Sequence, residues 1–422
     1  MSASQLSDST LDRPTPRRWR QDPRWSEAFA APLRLLVGPG ARPTPEEVEV
    51  LKGGLLRRDE LAARLVHAVR VEHAVTMPQF RQALEQRIDS VPDAPAALRE
   101  FFAAVEARPD WVDDDLLEQG ARASRRIGPD GQDILAYGSL LGGYRTAAGL
   151  EPLVRSGRLA GKDALRRVGE TGAWWLGCTS PGGMARDREG WRLSVHVRVM
   201  HGFVNHQLER AHDWDWDLRG VPINAVDQAA TIGTFSTSYL LHARLLGIRV
   251  SRSDAQAIMH LWSYAGWLMG VEPQWLPRTE QVGRRVLYQF VSTDPGPDEN
   301  GRLLANALLE MTDHHAAGGG RLARRWRRER ALSMATLLAS PRGMRELGLP
   351  RRPPWYPAYR IVANLFWSHL VGRLPGGRGV LDRRAARSLE RSLRRQHGEE
   401  RPPIAGPTGQ PQTQPPTGTR RG

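Results

Sequence analysis

The segment Arg192–Arg210 contains the residue best suited to metal chemistry in this chain, His201. Apolar residues recur along the segment at helical spacing, and they predict a helix with one apolar stripe. The stripe consists of Leu193, Val197, Met200, Val204 and Leu208. His201 lies on its flank, so we expect the imidazole to point inward and to stay neutral, as a ligand of iron must. The alternative is a core histidine that hydrogen-bonds a carbonyl group.

Other metal ligands are few in this region. His196 and His206 lie five residues on either side of His201, about 140° around a helix in each direction, so the three rings cannot converge on one ion. Cys178 is the only cysteine, which excludes an intramolecular disulfide and a cluster of thiolate ligands. A thiolate can in principle ligate haem iron, but the context of Cys178 favours a small buried or loop thiol.

The net charge of the chain is +14, with 60 Lys and Arg residues against 46 Asp and Glu. Only Lys52 and Lys162 are lysines, and the arginines are scattered along the chain. This distribution argues against nucleic-acid binding, which requires clustered cations. The basic segment Arg321–Arg330 includes Trp326. It is either a solvated helix face or a surface for peripheral membrane contact.

No targeting or membrane-spanning segment is predicted. Arg17, Arg18 and Arg20 are followed by polar residues instead of the apolar run of a secretory signal. The longest apolar stretch, residues 361–371, is interrupted by polar residues and falls short of the roughly 18 apolar residues of a spanning helix. We therefore expect a cytoplasmic protein, either soluble or peripheral to a membrane.

Composition divides the chain into three parts. Residues 1–45 are rich in Pro, Arg and Ser and predict an N-terminal arm on the surface. Residues 46–396 carry the apolar period of helices, broken by Gly and Pro, and predict one mainly α domain. Residues 397–422 consist almost entirely of Pro, Gly, Thr, Gln and Arg and predict a disordered tail.

Capping residues predict two helix boundaries inside the domain. Asn224 is expected to cap a helix that ends at Gly247. Ser253, with Gln256 three residues later, is expected to open the next helix, which ends at Gly270.

The run Val197–His206 resembles the histidine helix of the rubber-oxygenase (latex-clearing protein) and MpaB-type oxygenase family. Further motifs match this family in the same order, at residues 109–112, 137–144, 153–159 and 220–236. Several motifs in the expected order are far more specific than any one of them. The resemblance implies a single globin-like helical domain, with flexible termini, built around a b-type haem. It implies His201 as the proximal iron ligand and places Arg198 at the cofactor.

The same resemblance assigns residues to the distal side of the haem. Glu151 matches the glutamate regarded in rubber oxygenases as a base that acts on the substrate, and Arg167 and Thr171 match distal-side residues. Glu170 stands where rubber oxygenases have a lysine that can occupy the sixth iron site, and it resembles the wider family instead. Asn205 replaces a basic residue common in the rubber-degrading branch.

Without the resemblance, these residues have ordinary interpretations. Arg167 and Glu170 would form an i,i+3 ion pair on a surface helix. Glu151, which precedes Pro152, would be a capping or solvent-exposed carboxylate.

With the resemblance, we expect a haem b-dependent oxygenase, an oxidoreductase that uses dioxygen on an apolar, unsaturated substrate of isoprenoid or lipid type, small or polymeric. Glu151 would take a proton from an allylic carbon, while Arg167 and Thr171 would orient dioxygen beside Glu170. The sequence does not decide whether one or two oxygen atoms are inserted into the substrate. The alternatives are a haem-binding protein without oxygenase activity, such as a gas or redox sensor, and a helical scaffold that binds no metal.

Overall fold

A computed structural model describes residues 13–146, 149–155, 162–314 and 320–397 of the chain. These residues are mainly α-helical and contain no β-strand, which confirms the predicted fold class. The first eleven helices are α1 (Pro23–Val37), α2 (Pro45–Gly54), α3 (Glu60–Arg70), α4 (Met77–Gln86), α5 (Ala96–Glu106), α6 (Asp114–Arg126), α7 (Pro129–Asp133), α8 (Leu141–Tyr144), α9 (Glu151–Arg155), α10 (Lys162–Thr179) and α11 (Glu189–Leu208). The others are α12 (Trp216–Arg219), α13 (Ala225–Gly233), α14 (Tyr239–Leu245), α15 (Arg252–Leu268), α16 (Glu280–Val291), α17 (Glu299–His314), α18 (Arg321–Leu338), α19 (Ser340–Glu346), α20 (Trp355–Asn364) and α21 (Gly377–His397).

Helices α6 and α15 pack closely at the centre of the apolar core. A Cβ atom at Gly120 of α6 would lie 2.2 Å from the carbonyl oxygen of Ala257 in α15. The missing side chain therefore lets the two backbones approach each other. Trp262 of α15 is fully buried, and its ring centroid lies 5.3 Å from that of Trp174 in α10. The core thus extends from α15 to α10.

Helices α10 and α11 form an antiparallel hairpin with very close contacts at its turn. A Cβ atom at Gly190 would lie 2.7 Å from both the Cα and the N atom of Cys178. One turn away from this contact, Trp174 Nε1 donates a hydrogen bond of 2.9 Å to Ser194 Oγ. Because glycine is the only residue without a Cβ atom, Gly190 determines how closely the two helices approach.

Replacing Gly190 by Ala is expected to lower the free energy of unfolding by about 1–3 kcal/mol, because the added methyl group overlaps backbone atoms that cannot rotate away. The measurement is the urea midpoint at constant m-value. Gly142→Ala is the matched control, since a Cβ atom at that helical position meets no atom within 4 Å and should leave stability unchanged or slightly raised. Equal midpoints for Gly190→Ala and the unsubstituted protein would contradict the described packing.

Part of the predicted N-terminal arm is helical. In α1, Trp25 and Ala30 are buried, and Trp25 Nε1 donates a hydrogen bond of 2.8 Å to Glu346. Arg18 makes two hydrogen bonds, of 2.9 and 3.0 Å, to the carboxylate of Asp227. The predicted domain boundary at residue 45 stays a prediction. Residues 398–422 of the predicted tail lie outside the described residues.

The capping predictions are confirmed at one helix and wrong by two residues at the other. Asn224 caps α13, since its Oδ1 accepts a hydrogen bond of 3.0 Å from a backbone amide three residues later. The helical segment that begins with α13 and continues through α14 ends just before Gly247, whose φ is +73°. Helix α15 is capped by Ser251 and not by Ser253, because Ser251 Oγ both accepts from the backbone amide of Asp254 and donates to its carboxylate.

None of the helices in the described ranges combines the length and the apolar character that crossing a bilayer requires.

Candidate active site

His201 lies on the face of α11 that meets α10. Gly190 and Ser194 contact α10 from this face. His201 follows Ser194 by seven residues, which is close to two helical turns. Its side chain is half-buried, and so are Val197 and Val204 on the same side of the helix. The imidazole therefore faces a neighbouring helix between apolar side chains, and its role as an iron ligand stays a prediction.

The other side of α11 is more deeply buried than the predicted stripe. Val195, Val199 and Phe203 are buried there, and a Cβ atom at Gly202 would lie 3.1 Å from Val66 of α3. The predicted stripe is half-buried at Leu193, Val197, Met200 and Val204 and buried at Leu208. Because α11 is packed on both sides, apolar spacing alone identified only the half-buried side and not the more deeply buried one.

The other potential ligands near His201 have partners elsewhere. The ring centroid of His196 lies 6.5 Å from that of Phe80. His206 Nδ1 lies 2.9 Å from a guanidinium nitrogen of Arg210, and burial together with that charge lowers the pKa of His206 to about 4. Cys178 is fully buried, and burial raises the pKa of its thiol to about 12, as expected for a small core thiol.

The hydrogen bond between Trp174 and Ser194 fixes the register of the α10–α11 hairpin. Since the two helices are antiparallel, seven residues backward along α10 correspond to seven residues forward along α11. This register brings the segment 167–171 to the level of the segment 197–201.

Three predicted catalytic residues, Arg167, Glu170 and Thr171, belong to this part of α10. The side chains of Glu170 and Thr171 are half-buried. The side chain of Arg167 lies outside the described residues, so the predicted ion pair with Glu170 stays a prediction. The hairpin thus brings two described catalytic candidates to the level of His201.

Glu151, the first residue of α9, is the centre of a polar network. Its carboxylate accepts hydrogen bonds of 2.7 Å from Arg155 Nε and 2.8 Å from Asn300 Nδ2, and it forms an ion pair of 3.0 Å with Arg219. The side chain is only 15% exposed, so the expectation of a solvent-exposed carboxylate is wrong. Burial acts to raise the pKa of Glu151, but the hydrogen bonds and the charges of both arginines outweigh it and lower the pKa.

The partners of Glu151 were not predicted from the sequence. Arg155 could have been found, because it follows Glu151 by four residues on the same helix. Arg219 and Asn300 are distant in sequence and reach Glu151 only through the tertiary structure.

Arg198 and Asn205, on the same helix as His201, have partners of their own. The guanidinium of Arg198 pairs with Asp59 at the start of α3 and lies 5.7 Å from the ring centroid of Phe101. Contact between Arg198 and a cofactor stays a prediction. The side chain of Asn205 donates a hydrogen bond of 3.0 Å to the carbonyl oxygen of Ile223. It accepts one of 2.7 Å from the amide nitrogen of the same residue. A basic side chain has no acceptor and could not make this double contact.

The residues around His201 fit a b-type haem. A protein that binds b-type haem would need to provide an imidazole to hold the iron and apolar side chains around the porphyrin. His201, with Val197 and Val204 beside it, offers this combination.

The fold is similar to that of a known helical protein. The structure of latex clearing protein LCP in the closed state superposes with a TM-score of 0.56 and covers 79% of this chain and 88% of that chain, at 18% sequence identity. The fold is therefore all-α and similar to the fold of that protein.

A family model places the chain more narrowly. The model described as ER-bound oxygenase mpaB/B′/Rubber oxygenase, catalytic domain, matches residues 125–372. The chain belongs to this family, whose members are oxygenases and therefore oxidoreductases, and this confirms the resemblance found in the sequence. The rubber oxygenase of Streptomyces sp. (strain K30) is 24% identical over 226 residues. The alignment covers 53% of this chain and 55% of that protein, so the chain spans about half the length of this curated relative.

Proposed function

We propose that this protein is a haem b-dependent oxygenase that acts on an apolar, unsaturated substrate of isoprenoid or lipid type. The observation that carries the proposal is the position of His201, which faces α10 between apolar side chains inside the matched catalytic domain. A neutral imidazole in apolar surroundings is a suitable ligand for haem iron. Apolar surroundings also favour an apolar substrate over a polar one.

The residues of the α10–α11 hairpin would have separate roles in holding the iron and in orienting dioxygen. His201 would hold the iron through one ring nitrogen, and the bound haem would supply the iron that activates dioxygen. The hydroxyl of Thr171 and the guanidinium of Arg167 would donate hydrogen bonds that orient dioxygen. Glu170 would add a hydrogen-bond acceptor at the level of His201. Its carboxylate cannot provide the amine ligand of the rubber oxygenases.

Glu151 would act as the base on the substrate. Its lowered pKa keeps the carboxylate ionised at neutral pH, which is the form that can take a proton from an allylic carbon. Arg155 and Arg219 hold the carboxylate in position. The same charges make it a weak base, so its contribution depends on how closely the substrate is held against it.

The test is to prepare the full chain with haem supplied and to measure haem content and oxygen uptake together. We expect stoichiometric b-type haem in the pyridine haemochrome assay. We also expect oxygen consumption that depends on a short isoprenoid alkene or an unsaturated lipid and not on its saturated analogue. A haem-loaded protein without substrate-dependent oxygen uptake would favour a sensor. A folded protein that stays colourless with added haem would favour a scaffold.

Replacing Glu151 by Gln should leave haem content unchanged and slow turnover about 100-fold or more, because the amide cannot accept the proton. The readouts are haem content and kcat, measured separately from KM. Asp213→Asn is the matched control, since Asp213 pairs with Arg155 at 2.7 Å and its loss disturbs the network without changing Glu151. Unchanged kcat in Glu151→Gln would exclude the base role.

A further inference from the structure

Helix α20 and the π-helical turn that follows it, residues 365–370, present an apolar face to solvent. This face, which we call the apolar stripe, consists of Trp355, Tyr359, Val362, Phe366 and Leu370. The five side chains recur every three or four residues and are 44–68% exposed. Contiguous exposed apolar surfaces of this kind mark sites of interaction with a partner or a membrane.

The opposite face of the same segment is anchored by buried polar contacts. Arg360 makes hydrogen bonds of 2.7 and 2.9 Å to the carboxylate of Asp130, and Asn364 donates one of 2.6 Å to the same carboxylate. The guanidinium of Arg330 lies 4.5 Å from the ring centroid of Tyr356. Rotating α20 to bury the apolar stripe would break all these contacts, so the outward orientation is built into the fold.

The sequence on both sides of the apolar stripe is basic. No acidic residue occurs between Glu346 and Asp382. Exposed arginines lie on either side of the stripe in the sequence, at Arg351, Arg373, Arg383 and Arg384.

The neighbouring helix α18 lies against the anchored side of α20. It packs against α20 through Arg330, and Trp326 lies one helical turn before that residue and is 55% exposed. The segment 321–330 contains six arginines and a single glutamate, Glu329, which is paired with Arg352. Aromatic and basic side chains are therefore combined on two adjacent helices.

We propose that the apolar stripe docks on the surface of an anionic lipid bilayer. Trp355 and Tyr359 would lie at the headgroup level, where amphipathic rings are favoured, and Val362, Phe366 and Leu370 would enter the acyl boundary. The arginines around the stripe would contact acidic headgroups. A second copy of the chain fits less well, because a self-complementary pair would bring two arginine-rich borders against each other. This inference does not depend on the proposed oxygenase function.

The experiment is flotation of the full chain with phosphatidylcholine vesicles, with and without phosphatidylserine. We expect binding only when phosphatidylserine is present, and we expect it to weaken as ionic strength rises. The double variant Val362→Glu/Phe366→Glu should bind at least about tenfold more weakly, since both apolar side chains lose their burial in the bilayer. Arg351→Glu/Arg373→Glu should reduce binding while leaving the apolar stripe intact.

The matched control is Leu35→Glu/Leu36→Glu, which places the same charges at two exposed leucines of α1. It should bind as the unsubstituted protein does, and circular dichroism should show the same helix content in all variants. Equal binding to neutral and anionic vesicles, or no binding to either, would overturn the proposal. So would a dimer in solution that Val362→Glu/Phe366→Glu converts to a monomer, since a second copy would then cover the stripe.

Discussion

The His201→Ala protein is expected to be folded but to contain almost no haem when it is prepared with haem supplied. In the proposed site the imidazole of His201 would hold the iron, and without it the porphyrin would be held by apolar contacts alone. The haem content from the pyridine haemochrome assay should fall from stoichiometric to near zero. Circular dichroism should remain that of a mainly helical protein, because the side chain is only half-buried.

Two controls separate ligation from a structural role of His201. His206→Ala removes another histidine from the same helix, one that contacts Arg210, and it should retain haem. Adding free imidazole to His201→Ala should restore haem binding, since a small ligand can take the place of the missing ring, whereas a packing defect would not respond. Full haem content and an unchanged absorption spectrum in His201→Ala would show that another residue holds the iron.

Replacing Arg360 by Met is expected to lower the free energy of unfolding by about 3–5 kcal/mol. Asp130 is 1% exposed and Arg360 10% exposed, and the two form a doubly hydrogen-bonded ion pair that joins α20 to α7. The variant leaves a carboxylate buried without its cation, which costs far more than the loss of one contact at the surface. Urea unfolding, followed by circular dichroism, measures the change.

Arg352→Met is the matched control, because Arg352 pairs with Glu329 at a site where both side chains are about one-third exposed. This loss should cost about 0–1 kcal/mol. The double variant Asp130→Leu/Arg360→Met should recover most of the stability, since no unpaired charge remains buried. An effect of Arg360→Met no larger than that of Arg352→Met would contradict the assignment of a buried pair.

Features that depend on neighbouring residues were predictable from the sequence. The histidine helix was predicted at Arg192–Arg210 and extends over Glu189–Leu208, because apolar periodicity recurs within a few turns. The cap at Asn224 was correct since capping joins atoms only three residues apart. The cap predicted at Ser253 was wrong. The helix is capped by Ser251 instead, because its hydroxyl pairs with Asp254 three residues later.

The family was also predictable from the sequence, because it rests on the order of several motifs along the chain. The family model matches residues 125–372, a range that includes Glu151, Thr171 and His201 but not the motif at residues 109–112. The order of motifs can be read from the sequence without knowing which helices are in contact.

Only the tertiary structure decided which residues meet. It surrounded Glu151 with Arg219 and Asn300, and it paired Arg198 with Asp59 although the chain separates them widely. It also packed both sides of α11 against neighbouring residues, whereas the sequence predicted only one apolar side of this helix. The physical reason is that periodicity and capping follow from bonds a few residues apart, while these contacts depend on how helices cross, which close packing of the whole core determines.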